Sequence, residues 1–220
     1  MALVEDTPNP RALSTKAPST VATLSNTSGK RLFDILAAIV GLSAMVIVAV
    51  LLIVLNPFLN PGPLFFRQCR MGRDGERFTM LKFRTMRCHV SGTAARKAND
   101  PVEEERITRF GQFLRTFRID ELPNFWNVLR GQMSLIGPRP DTWDHAEEYW
   151  KTVPFYKKRF NVRPGITGLA QVRGGYADNP RAIQRKARFD HHYVKNRTIG
   201  MELHIIWRTF IVVLSGFGSK

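Results

Sequence analysis

The hydrophobic pattern of the chain is dominated by one uninterrupted apolar run between residues 35 and 55. The run carries no charge, and Ser43 is its only polar side chain. As a helix it is long enough to cross a hydrocarbon core of about 30 Å. It begins too far into the chain for an ordinary secretory signal, and no small-residue cleavage site follows it. We therefore predict a membrane helix within residues 30–60, with a buried helix of a soluble protein as the alternative.

The charges around this run leave its topology open. Lys30 and Arg31 precede it, and four arginines follow it, at Arg67, Arg70, Arg73 and Arg77. Because basic residues favour the cytoplasmic side, a single span satisfies the charge pattern at one end only, whereas a re-entrant helix satisfies it at both. The smoothness of the run favours a span, since Gly41 and Ser43 are its only candidates for a break. We expect re-entry, with Ser43 bonding back to a carbonyl where the helix bends.

The segments on either side of the run differ in character. Residues 1–29 are rich in Ser, Thr, Pro and Ala and lack apolar periodicity, which predicts a disordered tail. Residues 61–220 combine period-two and helical patterns, which predicts a compact mixed α/β domain. The whole chain is therefore expected to be α+β, with a membrane-inserted, re-entrant N-terminal helix.

The elements of the domain follow from turn signals and periodicity. We predict strands at 64–68 and 78–86 around a hairpin turn at 73–76, a mobile polar loop at 90–105, and helices at 107–118, 121–131, 144–160 and 180–196. The apolar pattern of the last stretch, 199–217, is interrupted by polar residues. It predicts either an amphipathic helix in the membrane interface or a core helix.

The net charge indicates an anionic partner. The chain carries 33 Lys and Arg against 18 Asp and Glu, a net charge of +15, and the neutral tail contributes none of the excess. A basic folded domain is suited to nucleic acid, anionic lipid or a phosphorylated substrate. The stretch 67–87, which includes Lys82 and Arg84, is either a solvated basic face or a surface that attracts headgroups or substrate.

Two adjacent acids, Asp120 and Glu121, are the strongest candidates for chemistry. They stand between Arg115, Arg118 and Arg139, and a rigid turn follows at residues 137–140. For an isolated pair, capping of a helix would be the simpler explanation. The surrounding arginines favour phosphate handling, in which guanidinium forks bind phosphate oxygens and carboxylates hold a metal or attack phosphorus.

Other motifs are weak or absent. A second rigid turn follows Arg163, and its glycines would let backbone N–H groups approach a phosphate. His191 and His192 point apart on a helix and have no zinc spacing, and Cys69 and Cys88 match no metal motif. The chain has no Walker loop, dinucleotide fingerprint or nucleophile elbow.

The motifs, taken in order, resemble the bacterial sugar transferase family of small monotopic phosphoglycosyl transferases. The resemblance runs from about residue 30 to about residue 215 and rests on Lys30–Asp34, Pro61–Phe66, Lys82–Met86, Asp120–Pro123, Gly137–Pro140, Arg163–Gly168 and Tyr193–Asn196. It departs from the family in lacking a Ser-Pro pair midway through the apolar run. Glu202 also stands where an Asp is common.

The resemblance implies transfer of a sugar-1-phosphate from a UDP-sugar to a polyprenyl phosphate at the bacterial inner membrane. It assigns Asp120 as nucleophile, Glu121 as a Mg²⁺ ligand, and Arg115 and Arg139 as phosphate contacts. Lys82, Arg84 and Arg163 are further candidates for phosphate binding.

The implied arrangement is a catalytic domain, residues 61–220, at the cytoplasmic face among membrane lipids. No nucleic-acid partner is expected, and a homo-oligomer is left open. The competing hypothesis is a membrane-anchored basic adaptor that binds anionic lipid or nucleic acid without catalysis, which leaves the acid pair unexplained.

Overall fold

The computed structural model describes residues 28–87, 104–175 and 179–215. The helices are α1 (Ser28–Leu59), α2 (Arg109–Thr116), α3 (Asn124–Leu129), α4 (Trp143–Thr152), α5 (Leu169–Gly174), α6 (Pro180–Asn196) and α7 (Ile199–Ser215). The strands are β1 (Phe65–Met71), β2 (Arg77–Phe83), β3 (Ser134–Ile136) and β4 (Gly165–Thr167). The predicted α+β fold is confirmed. Residues 1–27 of the predicted tail and nearly all of the predicted loop 90–105 lie outside the described residues.

The apolar run forms the long helix α1, which is continuous through the region where a bend was expected. It is the one helix among the described residues that is long and apolar enough to cross a membrane. Ser43 donates its hydroxyl to the carbonyl of Ile39 at 3.0 Å, as predicted, but the helix is not interrupted there. Pro57 falls in its last turn.

A stripe along α1 packs against the domain from one end of the helix to the other. Its buried members recur at helical spacing and are Asp34, Ala38, Gly41, Leu52 and Asn56. The first half of the stripe faces α3, and the second half joins Phe83 of β2 and Leu114 of α2. The outward face is apolar and open, with Val40 72% exposed.

Polar contacts fix both ends of α1 to the domain. Near its start, buried Asp34 pairs with Lys30 at 2.9 Å and accepts a hydrogen bond from the Ser134 hydroxyl at 3.0 Å. Arg31 donates to the last carbonyls of α3 at 2.7 Å. Near its end, Asn56 donates to the carbonyl of Gly62 at 2.8 Å.

The predicted hairpin is confirmed by the antiparallel pairing of β1 and β2. Phe65 pairs with Phe83, and Met71 pairs with Arg77. The 3-10 turn Arg73–Gly75 joins the strands, with Gly75 at φ 78°, a conformation that glycine adopts at little cost. The hairpin carries Lys82 near one end and Arg77 at the other.

One predicted helix, 144–160, is wrong in extent. Helix α4 ends at Thr152, and a separate 3-10 turn covers Tyr156–Asn161. Pro154 has no N–H to continue the helical ladder, and Phe155 takes a positive φ of 64°. The break turns Tyr156 back toward α4, where its ring packs edge-on against Tyr149.

A short parallel pair, β3 and β4, was not predicted, because strands of 3 residues are too brief to show a period in the sequence. The pair brings two rigid turns into contact. The N–H of Gly137 donates to Thr167 at 2.9 Å, and a Cβ at Gly137 would lie 2.4 Å from the carbonyl of Arg163. The contact therefore requires glycine and fixes the turn that carries Arg139.

Candidate active site

The acid pair lies in a tight turn between α2 and α3. Arg118 adopts a left-handed conformation with φ 57°, and the 3-10 turn Ile119–Glu121 follows it. Both acids are buried, with Asp120 6% and Glu121 5% exposed. Helix α3 begins only at Asn124, so the acids precede the helix that the sequence placed at 121–131. No side chain caps the start of α3, which removes the simple capping explanation.

Glu121 is clamped by fixed cations. Arg139 donates from both terminal nitrogens, Nη1 to Oε2 at 3.0 Å and Nη2 to Oε1 at 2.5 Å. Lys82 Nζ donates to Oε1 at 3.1 Å. Burial alone would raise the pKa of the Glu121 carboxyl, but the charges of Arg139 and Lys82 hold that pKa well below its usual range. Glu121 is therefore ionised and held in one position.

Asp120 has a different environment although it is the next residue. Its nearest ion-pair partner is Lys82, whose Nζ lies 3.9 Å from Oδ2. Its carboxylate accepts no hydrogen bond from the described residues. Burial raises the pKa of Asp120, and the adjacent Glu121 charge adds to the rise while Lys82 opposes it. No donor in the described part of the chain occupies its lone pairs, which suits a nucleophile.

The cations of the site also depart from their usual pKa values. Burial lowers the pKa of Lys82; the charge of Glu121 counters that effect and Arg139 adds to it. Burial would also lower the pKa of Arg139, but the charge and hydrogen bonds of Glu121 raise it overall. The negative charge of Glu121 therefore offsets the cost of burying the positive charges of both Lys82 and Arg139.

A buried network that the sequence analysis missed holds the turn carrying Arg139. The Asp141 carboxylate accepts hydrogen bonds from Lys186 at 2.5 Å, from the Tyr156 hydroxyl at 2.7 Å, and from Arg159. Arg159 also donates to the backbone carbonyl of Arg139, and it forms an ion pair with a further buried acid, Asp190. No local pattern relates these residues, which are distant in sequence. The sequence feature that could have pointed to this network is Asp141, an acid directly after the rigid turn at residues 137–140.

The other predicted phosphate-binding residues are not all brought to the acid pair. Arg115 lies near enough for its charge to lower the pKa of Asp120, and its Nε donates to the Thr85 hydroxyl at 3.0 Å. Arg84 is buried elsewhere and donates to carbonyls of Asn60, Pro63 and Met86. Its assignment to phosphate binding has no support in this arrangement.

Arg163 also lies apart from the acid pair. Its Nε donates to the carbonyl of Gly131 at 2.8 Å, and it lines a separate pocket with Arg73 and Arg77. Burial, Arg31 and Arg73 together lower the pKa of Arg163.

The acid pair fits a hard metal ion that is shared with substrate. Among the described residues, no group of three or more His, Cys, Asp or Glu side chains could hold a metal by itself. Mg²⁺, however, is commonly bound by one or two carboxylates together with substrate phosphates. Oε2 of Glu121 accepts one hydrogen bond, from Arg139, and retains a lone pair for such an ion.

This chain belongs to the bacterial sugar transferase family, whose model matches residues 25–216. A relative from Aeromonas hydrophila, named a UDP-N-acetylgalactosamine-undecaprenyl-phosphate N-acetylgalactosaminephosphotransferase, is 39% identical over 87% of this chain and 45% of its own. A UDP-glucose:undecaprenyl-phosphate glucose-1-phosphate transferase of Caulobacter vibrioides is 41% identical over 82% of this chain and 67% of its own.

A shorter relative matches over nearly its whole length. The exopolysaccharide production protein PSS of Rhizobium leguminosarum bv. phaseoli is 41% identical over 84% of this chain and 95% of its own. By contrast, this chain spans 45% and 32% of the length of two of the longer relatives.

Proposed function

We propose that this protein transfers a sugar-1-phosphate from a UDP-sugar to a polyprenyl phosphate and releases UMP. The acceptor is undecaprenyl phosphate, the lipid in the names of the relatives. The observation that carries the proposal is the contrast within the acid pair. Asp120 is buried and free of hydrogen bonds from the described residues, while Glu121 beside it is clamped by Arg139 and Lys82.

In the first step a carboxylate oxygen of Asp120 attacks the phosphorus bonded to the sugar. A new O–P bond forms, the bond from that phosphorus to the bridging oxygen breaks, and UMP leaves with the electron pair. Lys82 and Arg139 offset the repulsion between the carboxylate and the diphosphate. Arg115 contributes a further positive charge from α2.

In the second step a phosphate oxygen of the lipid attacks the same phosphorus. The bond to Asp120 breaks, the free carboxylate is restored, and the product is a polyprenyl diphosphate sugar. Two sequential displacements let one small site serve first a soluble and then a lipid substrate. The hydrogen bonds that Arg139 donates to Glu121 hold the Arg139 guanidinium in place during both steps.

Mg²⁺ is proposed as the cofactor, held by Glu121 and by oxygens of the substrate diphosphate. When bound, it supplies positive charge that polarises phosphoryl oxygens. Asp120 remains the attacking group and Arg139 the anchor for phosphate.

The membrane arrangement we propose keeps both ends of α1 on the cytoplasmic side. The polar anchors near Asp34 and near Asn56 join the same domain, which supports an unbroken helix held along one face of the membrane. A second apolar surface on α7, with Trp207 65% and Leu214 81% exposed, is suited to the membrane interface.

The decisive experiment measures UMP release from a panel of UDP-sugars with undecaprenyl phosphate and Mg²⁺. We expect wild-type turnover with at least one sugar and none with Asp120→Asn, because an amide does not attack phosphorus usefully. Mass spectrometry of wild-type enzyme quenched without lipid acceptor should find a sugar-phosphate adduct on Asp120. Full activity of Asp120→Asn would contradict the assigned nucleophile. An Arg188→Gln variant, changed on the exposed face of α6, is the control.

A further inference from the structure

We propose that a second phosphate-binding site lies in the pocket where Arg73, Arg77 and Arg163 converge. The pocket has a volume of about 270 Å³ and is built from three separate segments: the hairpin turn, the turn after α3, and Arg163 before β4. Gly131 and Gln132 complete its wall. The inference does not depend on the reaction proposed for Asp120.

The pocket is separate from the acid pair. Arg77 and Lys82 stand near opposite ends of β2, and a strand rises about 3.3 Å per residue, so roughly 17 Å of strand separates them. Lys82 contacts Asp120 and Glu121, whereas Arg77 stacks on Trp143 with its guanidinium carbon 4.0 Å from the ring centroid. One phosphate cannot bridge that distance.

The arginines of the pocket are positioned but not saturated. Arg163 uses its Nε to bind the carbonyl of Gly131 at 2.8 Å, and Arg73 approaches Asp74 through its Nε at 3.0 Å. Their terminal nitrogens have no hydrogen-bond partner among the described residues. A guanidinium held through its Nε, as that of Arg163 is, leaves a pair of donors, the arrangement that binds phosphate oxygens in a fork.

The charge balance favours an anion. Arg31 adds a fourth guanidinium beside the pocket, because a Cβ at Gly131 would lie 3.6 Å from its terminal nitrogen. Burial lowers the pKa of Arg163, and the nearby positive charges of Arg31 and Arg73 lower it further. Two carboxylates, Asp74 and Glu76, line the rim, so four positive charges face two negative ones. A bound phosphate would relieve the remaining repulsion.

The ligand chemistry is a phosphate ester, and two sources could supply it. Arg31 belongs to the first turns of α1, the helix with the exposed apolar face, so the pocket adjoins the segment expected to contact lipid. A phosphodiester headgroup could reach it from the bilayer, and a free phosphate could reach it from solution.

The test is residue-resolved arginine footprinting with phenylglyoxal and peptide mass spectrometry on the full-length protein. In detergent, we expect inorganic phosphate to slow modification of Arg73, Arg77 and Arg163 several-fold and saturably, while exposed Arg188 reacts as before. The same protein is then compared in nanodiscs of phosphatidylglycerol and of phosphatidylcholine without added phosphate. Protection specific to phosphatidylglycerol assigns a lipid headgroup; protection by inorganic phosphate alone assigns a free anion.

Two variants make the result specific. Arg163→Gln should abolish protection of Arg73 and Arg77, whereas Arg188→Gln, with the same loss of charge, should leave it intact. The modification rate of Arg139 is measured in the same experiment. Loss of phosphate binding in the pocket can therefore be distinguished from loss of phosphate binding at the acid pair. Absence of protection in every arm, or equal protection of Arg188, would overturn the proposal.

Discussion

Asp120 and Glu121 are neighbours in one short turn, yet their side chains do different work. Glu121 accepts two hydrogen bonds from Arg139 and one from Lys82, so its negative charge is matched and fixed. Asp120 pairs less closely, with Lys82 at 3.9 Å, and no residue that the structure describes donates a hydrogen bond to its carboxylate. The pKa values are therefore driven in opposite directions, which agrees with the roles proposed for Glu121 in positioning and for Asp120 in attack.

The raised pKa of Asp120 predicts a pH dependence. The attacking carboxylate must be ionised, so kcat/KM for UMP release should fall as the pH drops through that pKa. Lys82 lowers the pKa of Asp120, so Lys82→Met should shift the acid limb of the profile to higher pH. Lys82→Arg keeps the charge and should leave the limb in place. A limb that does not move in Lys82→Met would show that another group controls it.

Replacement of Arg139 tests the guanidinium fork. Arg139→Ala leaves buried Glu121 with Lys82 as its main partner and removes a phosphate contact. A charge-assisted hydrogen bond contributes about 1.5–3 kcal/mol, so turnover should fall by roughly 10-fold to 150-fold. Arg139→Lys should recover only part of the loss, since an ammonium group cannot bind in a fork. Steady-state UMP release at saturating UDP-sugar measures both; equal rates in all three forms would mean that Arg139 only packs.

Asp120, Glu121 and Arg139 could be identified from the sequence because they lie in one short stretch, and carboxylates beside arginines are typical of phosphate chemistry. The sequence offers no means of separating the two acids, since their difference comes from Lys82 on β2 and Arg139 beyond α3. Arg84 is a predicted phosphate-binding residue that the structure does not bring to the acid pair. In a continued strand, residues 82 and 84 would share one face, but β2 ends at Phe83. The Arg84 guanidinium instead binds carbonyls just after the end of α1.

At the scale of elements, Asp141 links the turn that carries Arg139 to the 3-10 turn Tyr156–Asn161 and to α6. It accepts bonds from Tyr156 and Arg159 of the 3-10 turn and from Lys186 of α6. Burial would raise its pKa, but the charges of Lys186 and Arg159 hold that pKa far below the usual range. The stability contributed by this ionised carboxylate is complete above about pH 4, the unfolded value, and is lost as the pH falls below it.

Asp141→Asn should therefore destabilise the protein at neutral pH by roughly 3–5 kcal/mol, because it removes the carboxylate that pairs with Lys186 and leaves Arg159 with Asp190 alone. The difference from wild type should stay constant from pH 7 down to about pH 4 and shrink as the pH is lowered further, toward 2. Denaturant unfolding in detergent at several pH values measures both effects. Asp144→Asn, an exposed acid on α4, is the matched control. A pH-independent difference would show that the network works through packing and not through charge.

The contact between α1 and α3 makes a second prediction at this scale. A Cβ at Gly41 would lie 2.3 Å from the ring of Phe125, so Gly41→Ala forces that ring to move. Overpacking costs about 1–3 kcal/mol, whereas the gain in helix propensity is at most about 1 kcal/mol. Net destabilisation is expected in thermal unfolding, with partial rescue by Phe125→Leu. Gly29→Ala, which has nothing within 4 Å, should be neutral or mildly stabilising.

Long periodic elements were predictable from the sequence, and short ones were not. The apolar run and the pattern of residues 180–196 indicated α1 and α6 with nearly correct ends. In the structure the Asn179 side chain caps the start of α6 by accepting from the N–H of Ala182. The strands β3 and β4 exist because Gly137 and Gly165 allow two backbones to approach closely. That is a tertiary requirement with no local period.

At the scale of the whole molecule, α1 and the domain form one packed body and not an anchor with a tethered head. A helix of 32 residues is about 48 Å long, and its buried stripe contacts the domain near both ends. A perpendicular span would remove one end of α1 from the domain and expose Asp34 or Asn56 to lipid, which is costly for buried polar groups. The open apolar face of α1 and that of α7 offer surfaces that a bilayer can cover.

This arrangement predicts that the chain before α1 stays on the same side of the membrane as the domain. Single cysteines are introduced at Ser25 or at Arg188 in a background without Cys69 and Cys88, and intact cells are treated with a membrane-impermeant thiol reagent. Both sites should be protected until the cells are opened, because the polar anchors at the two ends of α1 bind one domain. Labelling of the Ser25 site alone in intact cells would show that α1 spans the bilayer and that these anchors separate in the membrane. Labelling of both sites would put the domain outside the cytoplasm, where the nucleotide sugar is not available, and would contradict the proposed reaction as well.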